Sequence, residues 1–551
     1  MKKIISAVLI LTLLFCAAVP SYAQKSGKTY YVDAVSGDDG NSGLSESSAW
    51  KTLSAASAHV YSAGDKVLLK AGSFFDGTFT AFGDGTAENP ILLGSYGDIA
   101  VQGKPVIRSS DDVILVTLSN VSGWTVENLE FTAPNGKGMY ILATDGTEST
   151  DITVKDCTFR DIWYKQCKFY MGAYCPLMLA SYGAASKLRR ITVTGCSIYD
   201  CAYGIITDGL NRAWTPDTFV SPEESYNTDY LFENISLNNV LYDGIVISSV
   251  NGMTVRNCSL IDVSLNDDYC TAPMYSHFAC NFLIENCEIA GATNENDGMA
   301  LDFDGWVTNG TYQYIYSHDN YRFIRNCCYD NYTKNANCTV RYCLSVNDNK
   351  GDNDLAQLMF VDGYNFADDE WAVSMDNFRF YNNTLVNCSE IKCSGLSNSV
   401  VANNIFVGKS TLSSIQHMRK GVDKKGTYVS KFDGLFTNNC FWNMGVASAC
   451  KNNFICNPKF VGTDEADKNS FVLSDESKLI GSGIIVEENM GEHDFFGNPL
   501  TDAHNIGCYE GAGEKMQGKA GFFSAVGHFL GFLLATVIGF FVNCNNTYWL
   551  F

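Results

Sequence analysis

Positive charge is scarce in this 551-residue sequence: 38 lysines and arginines face 60 aspartates and glutamates, a formal net charge of −22. Without residues 1–23, which hold two lysines and no acid, the balance is about −24. A surface this acidic argues against nucleic acid and anionic membrane as partners. It also repels polyanionic sugars unless a cation or a local basic patch intervenes. Proline is sparse too, at 10 residues, and with 46% hydrophobic residues the chain can build a long core rather than remain disordered. None of the 21 cysteines has the spacing of a zinc site.

The two ends differ from the middle. "MKKIISAVLILTLLFCAAVPSYAQ" has a basic start, an apolar run and a small-residue end, the pattern of a secretory signal peptide cleaved after Ala23. Export to the cell surface or medium of a bacterium is therefore expected. Residues 512–551 form a separate tail. Its stretch 521–542 is 22 residues without a charge, long enough to span a bilayer as an anchor. It carries no basic stop-transfer residues and no sortase-type motif precedes it, so a hydrophobic cap is the competing reading.

Between these ends one short pattern recurs: apolar, any, Asn or Asp, then Cys, Asn or Ile, small polar, apolar. It reads "VKDCTF" (154–159), "VTGCSI" (193–198), "FENISL" (232–237), "VRNCSL" (255–260), "IENCEI" (284–289), "VRYCLS" (340–345), "FYNNTL" (380–385), "VANNIF" (401–406) and "FTNNCF" (436–441). Intervals run from 21 to 40 residues, several near 28. Short strands recurring at this interval predict an all-β fold, a single-stranded parallel β-helix (β-solenoid) of roughly a dozen turns stacked at about 4.8 Å. The fourth position of the pattern forms one inward stack. Cys157, Cys196, Cys258, Cys287 and Cys343 share it and are expected to be buried free thiols, because parallel side chains meet disulfide geometry poorly.

This pattern, with its asparagine ladder, resembles the right-handed parallel β-helix family of pectate-lyase-like proteins. The entry segment "TYYVDAVSGDDGNSGLSESSAWKTLSAA" (29–56) and the closing segment that ends in "DFFGNPLTDAHNIGCYEG" (494–511) extend the resemblance over residues 28–511. It implies a carbohydrate-active protein that binds a polysaccharide along a groove, and it says far less about which reaction is run.

In a solenoid, inward positions are spent on stacking, so chemistry belongs to outward positions and loops. In "GMALDFD" (298–304), alternation sends Met299, Leu301 and Phe303 inward and Ala300, Asp302 and Asp304 outward to solvent. Two outward aspartates with Cα atoms about 6.5–7 Å apart suit a shared calcium ion or a pair of catalytic carboxyls. Asp208 is expected in the same column as Asp302, three turns away. Downstream, "YSHDNYRFIR" supplies His318, Asp319, Arg322 and Arg325. A histidine beside an aspartate forms a general base if the pair sits at a turn.

The resulting expectation is a monomeric, secreted or surface polysaccharide-degrading enzyme. The first reading is a lyase: calcium held by Asp297, Asp302 and Asp304, with His318 or Arg322 removing the proton in a β-elimination. A glycoside hydrolase using Asp302 and Asp304 is the alternative, and so is a non-catalytic glycan-binding adhesin. The paired-aspartate and "GHG" motifs of the pectin-hydrolysing β-helices do not occur.

Overall fold

The structure, a computed structural model, describes residues 27–516 apart from 165–172, 184, 210–225, 328–334, 350–357 and shorter breaks between 363 and 451. The expected leader (1–23) and the apolar segment 521–542 lie outside the described residues. Among the described residues no helix is long and apolar enough to cross a membrane.

The chain is a right-handed parallel β-helix. Among the described residues its strands gather into one sheet of 26 strands, which wraps two faces of the solenoid, and a second sheet of 14 that forms the third face. Apart from two short antiparallel pairs, neighbouring strands are parallel. One turn is laid out by Met299–Asp304, Thr308–Gln313 and Tyr316–His318, after which Arg322–Cys327 stacks back on the first of these. The third face advances Ser259↔Glu288↔Tyr316↔Leu344↔Thr384↔Ile405↔Cys440.

Each of those strands begins one residue after the fourth position of the sequence pattern, and the backbone explains the third. Asn128, Asp156, Gly195, Asn234, Asn257, Asn286, Asn382, Asn403 and Asn438 all sit at φ between +50° and +65°. That left-handed conformation turns the chain from one face to the next, and Asn, Asp and Gly adopt it at least cost. Tyr314 and Tyr342 occupy it too, at +57° and +50°. The following residue points inward. In the last turns this is a bonded asparagine ladder: Asn383 Nδ2 donates to Asn404 Oδ1 (3.0 Å), and Asn404 Nδ2 donates to Asn439 Oδ1 (2.9 Å). In five earlier turns it is cysteine, and in others Leu129, Ile235 or Ile315. Cys157, Cys196, Cys258, Cys287 and Cys343 are buried free thiols, bonded weakly to carbonyls at 3.3–3.9 Å.

Two caps close the cylinder. At the start, the helix Leu53–Ser57, N-capped by Thr52, buries Leu53 and Ala56 beside Tyr30, Trp50 and Tyr61. At the end, residues 457–511 fold back along the corner between two faces and use the amides displayed there. Asn382 Nδ2 donates to the Asn505 carbonyl (3.0 Å) and Asn403 Nδ2 to that of Ile484 (2.7 Å). The buried Glu510 carboxylate accepts from Tyr342 Oη (2.9 Å) and Asn382 Nδ2 (3.0 Å).

Candidate functional site

The strand Met299–Asp304 lies between Met274–Glu285 and Arg322–Cys327, in the register Tyr275↔Asp302↔Arg325. Leu301 and Phe303 enter the core as alternation requires, and Phe303 packs on Tyr312 at 4.6 Å. Ala300, expected outside, joins the core as well, because the chain is still rounding the corner from Gly298 (φ +51°). Asp208 pairs with Ala180, while Ile206, two residues earlier, leads through Val246 and Tyr275 to Asp302. The expected alignment of Asp208 with Asp302 is therefore two residues off.

The largest correction concerns Asp302 itself. It leaves the core, yet it is only 5% exposed rather than solvent-facing, and its Oδ1 has no hydrogen-bond partner. The cover comes from elsewhere in the chain. Arg325, its partner on the next turn, reaches past it to pair with the Asp297 carboxylate. Arg322 is 4% exposed and clamps the same loop, its Nη1 donating to the carbonyls of Asn296 (3.2 Å) and Asp297. Burial pushes the Asp302 carboxyl well above the ordinary carboxylate range. Asp304 and Asp297 add to that direction, and Arg325 and Arg322 oppose it. Asp297 and Asp304, by contrast, are both partly exposed. Asp243, two turns earlier, is buried, accepts from the Ala272 N–H (3.1 Å) and is raised to about 7 by burial and then by Asp297.

Asn294, buried and missed by sequence reasoning, organises the loop. Its Oδ1 accepts from the N–H groups of Asn296 and Asp297, both at 2.9 Å. Its Nδ2 donates to the carbonyls of Asn266 (2.6 Å) and Tyr269 (2.7 Å). The acidic loop 266–269, "NDDY", is thus a clasp for the turn that carries Asp297. The recurrence of Asp-Gly at residues 243–244 and 297–298 was the sequence signal for Asp243 as a neighbour. Gly298 is constrained twice, by its φ and by space: a Cβ there would stand 2.2 Å from the Asn294 carbonyl. Gly298→Ala is expected to displace the loop that carries Asp297 and to speed hydrogen exchange at the Asn296 and Asp297 amides at least tenfold with the global unfolding midpoint nearly kept. Unchanged exchange in the variant would show that Gly298 does not set the position of Asp297.

The other expected site residues separate from this cluster. His318 stands on the third face, in register with Ala290 and Val346. Asp319 follows it at φ +57°, so the expected turn is present. Both imidazole nitrogens are engaged, Nδ1 with Asp319 (3.0 Å) and Nε2 with Glu288 (3.2 Å). A shared base with Asp302 and Asp304 is not formed, because the two residues sit on different sheets. Arg322 is a loop anchor spent on carbonyls. The calcium expectation meets a poor fit: among the described residues no group of three or more acids, histidines or cysteines is placed to hold a metal ion. Asp297 is moreover taken up by Arg325.

No protein-family model matches the chain. A lacto-N-biosidase of Bifidobacterium longum subsp. longum is 45% identical over 89 residues, which is 15% of this chain and 6% of that protein's length. The crystal structure of a GH136 lacto-N-biosidase from Eubacterium ramulus superposes with a TM-score of 0.52 at 19% identity, over 74% of this chain and 68% of that one. XylC in complex with xylose gives 0.52 at 11% identity, over 88% and 99%. What this chain shares with these two solved structures is its fold.

Proposed function

We propose that the chain is an exported glycan-degrading enzyme that hydrolyses a glycosidic bond at the Asp297–Asp302–Asp304 cluster. The observation that carries this reading is a buried carboxyl, Asp302, on one strand and turn with two partly exposed ones, Asp304 and Asp297. Asp302 and Asp304 occupy outward positions of one strand and cannot both ionise cheaply, so they act as a dyad that shares one proton. The exposed member, Asp304, passes that proton to the leaving oxygen. Asp297, oriented by Arg325 and Asn294, acts on the other side as nucleophile or as base for water. The matched segment of a lacto-N-biosidase and the fold shared with another support a glycan substrate.

Elimination is the second reading, and its base is not Arg322, which is buried and donates to the carbonyls of Asn296 and Asp297 as a cation. Two assays separate the readings. Hydrolysis releases reducing ends from neutral oligosaccharides, including lacto-N-biose-terminated ones, whereas elimination generates the ultraviolet absorbance of an unsaturated uronate. Binding without either signal would leave a non-catalytic glycan-binding protein.

The dyad also sets a pH profile. A carboxyl whose pKa is raised keeps its proton into less acidic solution, and kcat/KM falls on the alkaline side as that proton is lost. Arg325 holds the Asp302 pKa down, so Arg325→Gln raises it further and moves the alkaline limb to higher pH. A limb that stays in place, or moves to lower pH, would remove Asp302 from the proton-sharing role.

A further inference from the structure

The corner amides that receive the closing segment continue beyond the point where that segment ends. Asn382, Asn403 and Asn438 each donate to its carbonyls. Three and four turns before Asn382 in the same column, past Tyr342 and Tyr314, Asn286 and Asn257 have the same left-handed backbone (φ +54° and +56°), and among the described residues their side-chain amides form no hydrogen bond. They line a cleft of about 340 Å³ between the solenoid corner and the closing segment. Its remaining walls include Glu288, Tyr316, Lys468 and Phe495. The Tyr316 and Phe495 rings meet at 6.3 Å and 63°, forming an aromatic corner. The Lys468 ammonium lies 5.9 Å from the Phe495 ring centre and makes no hydrogen bond, and the Tyr316 hydroxyl makes none either. The His318 ring packs tilted against Tyr316 at 4.4 Å, and its Nε2 engages one oxygen of Glu288.

We infer that this cleft is a second carbohydrate-binding site, on a different corner from the Asp297–Asp304 cluster, that seats a pyranose unit of a glycan. Its volume falls in the range of small-ligand sites, roughly 300–1,000 Å³. A sugar ring offers an apolar face for Tyr316 and Phe495 and vicinal hydroxyls that both donate and accept. Two amides, a phenol, an ammonium and a carboxylate supply the complementary groups. The closing segment's carbonyls already show what corner amides of this column bind on later turns. The site takes from the proposed function only that the protein meets glycans. His318 serves here as a positioning residue for Tyr316 and Glu288.

The test is calorimetry on the full chain carrying Asp304→Asn, so that turnover cannot consume the probe, with lactose, N-acetyllactosamine and xylobiose as probes. At least one is expected to bind, and Tyr316→Ala or Asn286→Ala to weaken that binding tenfold or more. Tyr316→Phe, which keeps the ring, is the variant for the case that the alanine fails to fold, and is expected to weaken binding only several-fold. The bound sugar is also expected to shield Lys468 from acetylation, read by mass spectrometry. Binding that is unchanged in these variants with Lys468 unshielded, or no binding at all, would overturn the site. Turnover of the chain without Asp304→Asn is measured separately, so loss of the hydrolase reading and loss of this cleft are distinguishable outcomes.

Discussion

Asp297→Asn and Asp304→Asn are each expected to lower kcat/KM on the best glycan by about 10²- to 10⁴-fold, the range that general acid–base groups contribute. Both side chains are partly exposed, so the amides are accommodated without opening the core. Asp297→Asn keeps an oxygen for Arg325 and removes only the charge that acts on the sugar. Asp304→Asn leaves Asp302 with its proton and nothing to relay it. The effects should be far from additive in the double variant, because acid and base act in one transition state. The measurement is steady-state kinetics with unfolding midpoints in parallel. Activity within threefold of the parent in either variant, with the fold intact, would discard the cluster as the active centre.

The second large effect concerns stability. Asn404→Ala is expected to cost about 3–5 kcal/mol. Asn404 Oδ1 accepts from both the backbone N–H and the side-chain amide of Asn383, each at 3.0 Å, and Asn383, Asn404 and the next rung, Asn439, are all fully buried. Alanine removes that acceptor and strands two donors where water does not reach, at about 1–3 kcal/mol each. It also removes the donor bonded to Phe380 O and Asn439 Oδ1. Cys287→Ala, at the same ladder position of an earlier turn, is expected to cost only about 1 kcal/mol, since its thiol acts mainly as a small apolar filler. Denaturant unfolding of both variants checks the contrast. Equal losses at the two positions would mean that the ladder is packing alone.

Much of the architecture was legible because solenoid rules are local. The Asn, Asp or Gly at the third pattern position answers to a left-handed backbone at that residue alone. The buried fourth position then follows from the direction in which the chain leaves the corner. Leu301 and Phe303 were readable as core, and Asp302 and Asp304 as a pair on one strand, because strand alternation is a property of consecutive residues. These features survive whatever loop length separates one turn from the next.

The site was not legible to the same depth. Whether an outward carboxyl meets water is decided by what the neighbouring turns and loops lay over it, and for Asp302 these are Arg325, Arg322 and the loop clasped by Asn294. His318 looked close to the aspartates in the chain but belongs to another face, since a turn of about 28 residues carries sequence neighbours around the cylinder. From the sequence alone came the parallel β-helix, its ladder and the pairing of Asp302 with Asp304, all set by short-range backbone geometry. The tertiary structure alone decided that Asp302 is buried while Asp297 and Asp304 remain accessible. Electrostatics and solvent access depend on distances between turns, and variable loops set those distances independently of the local pattern.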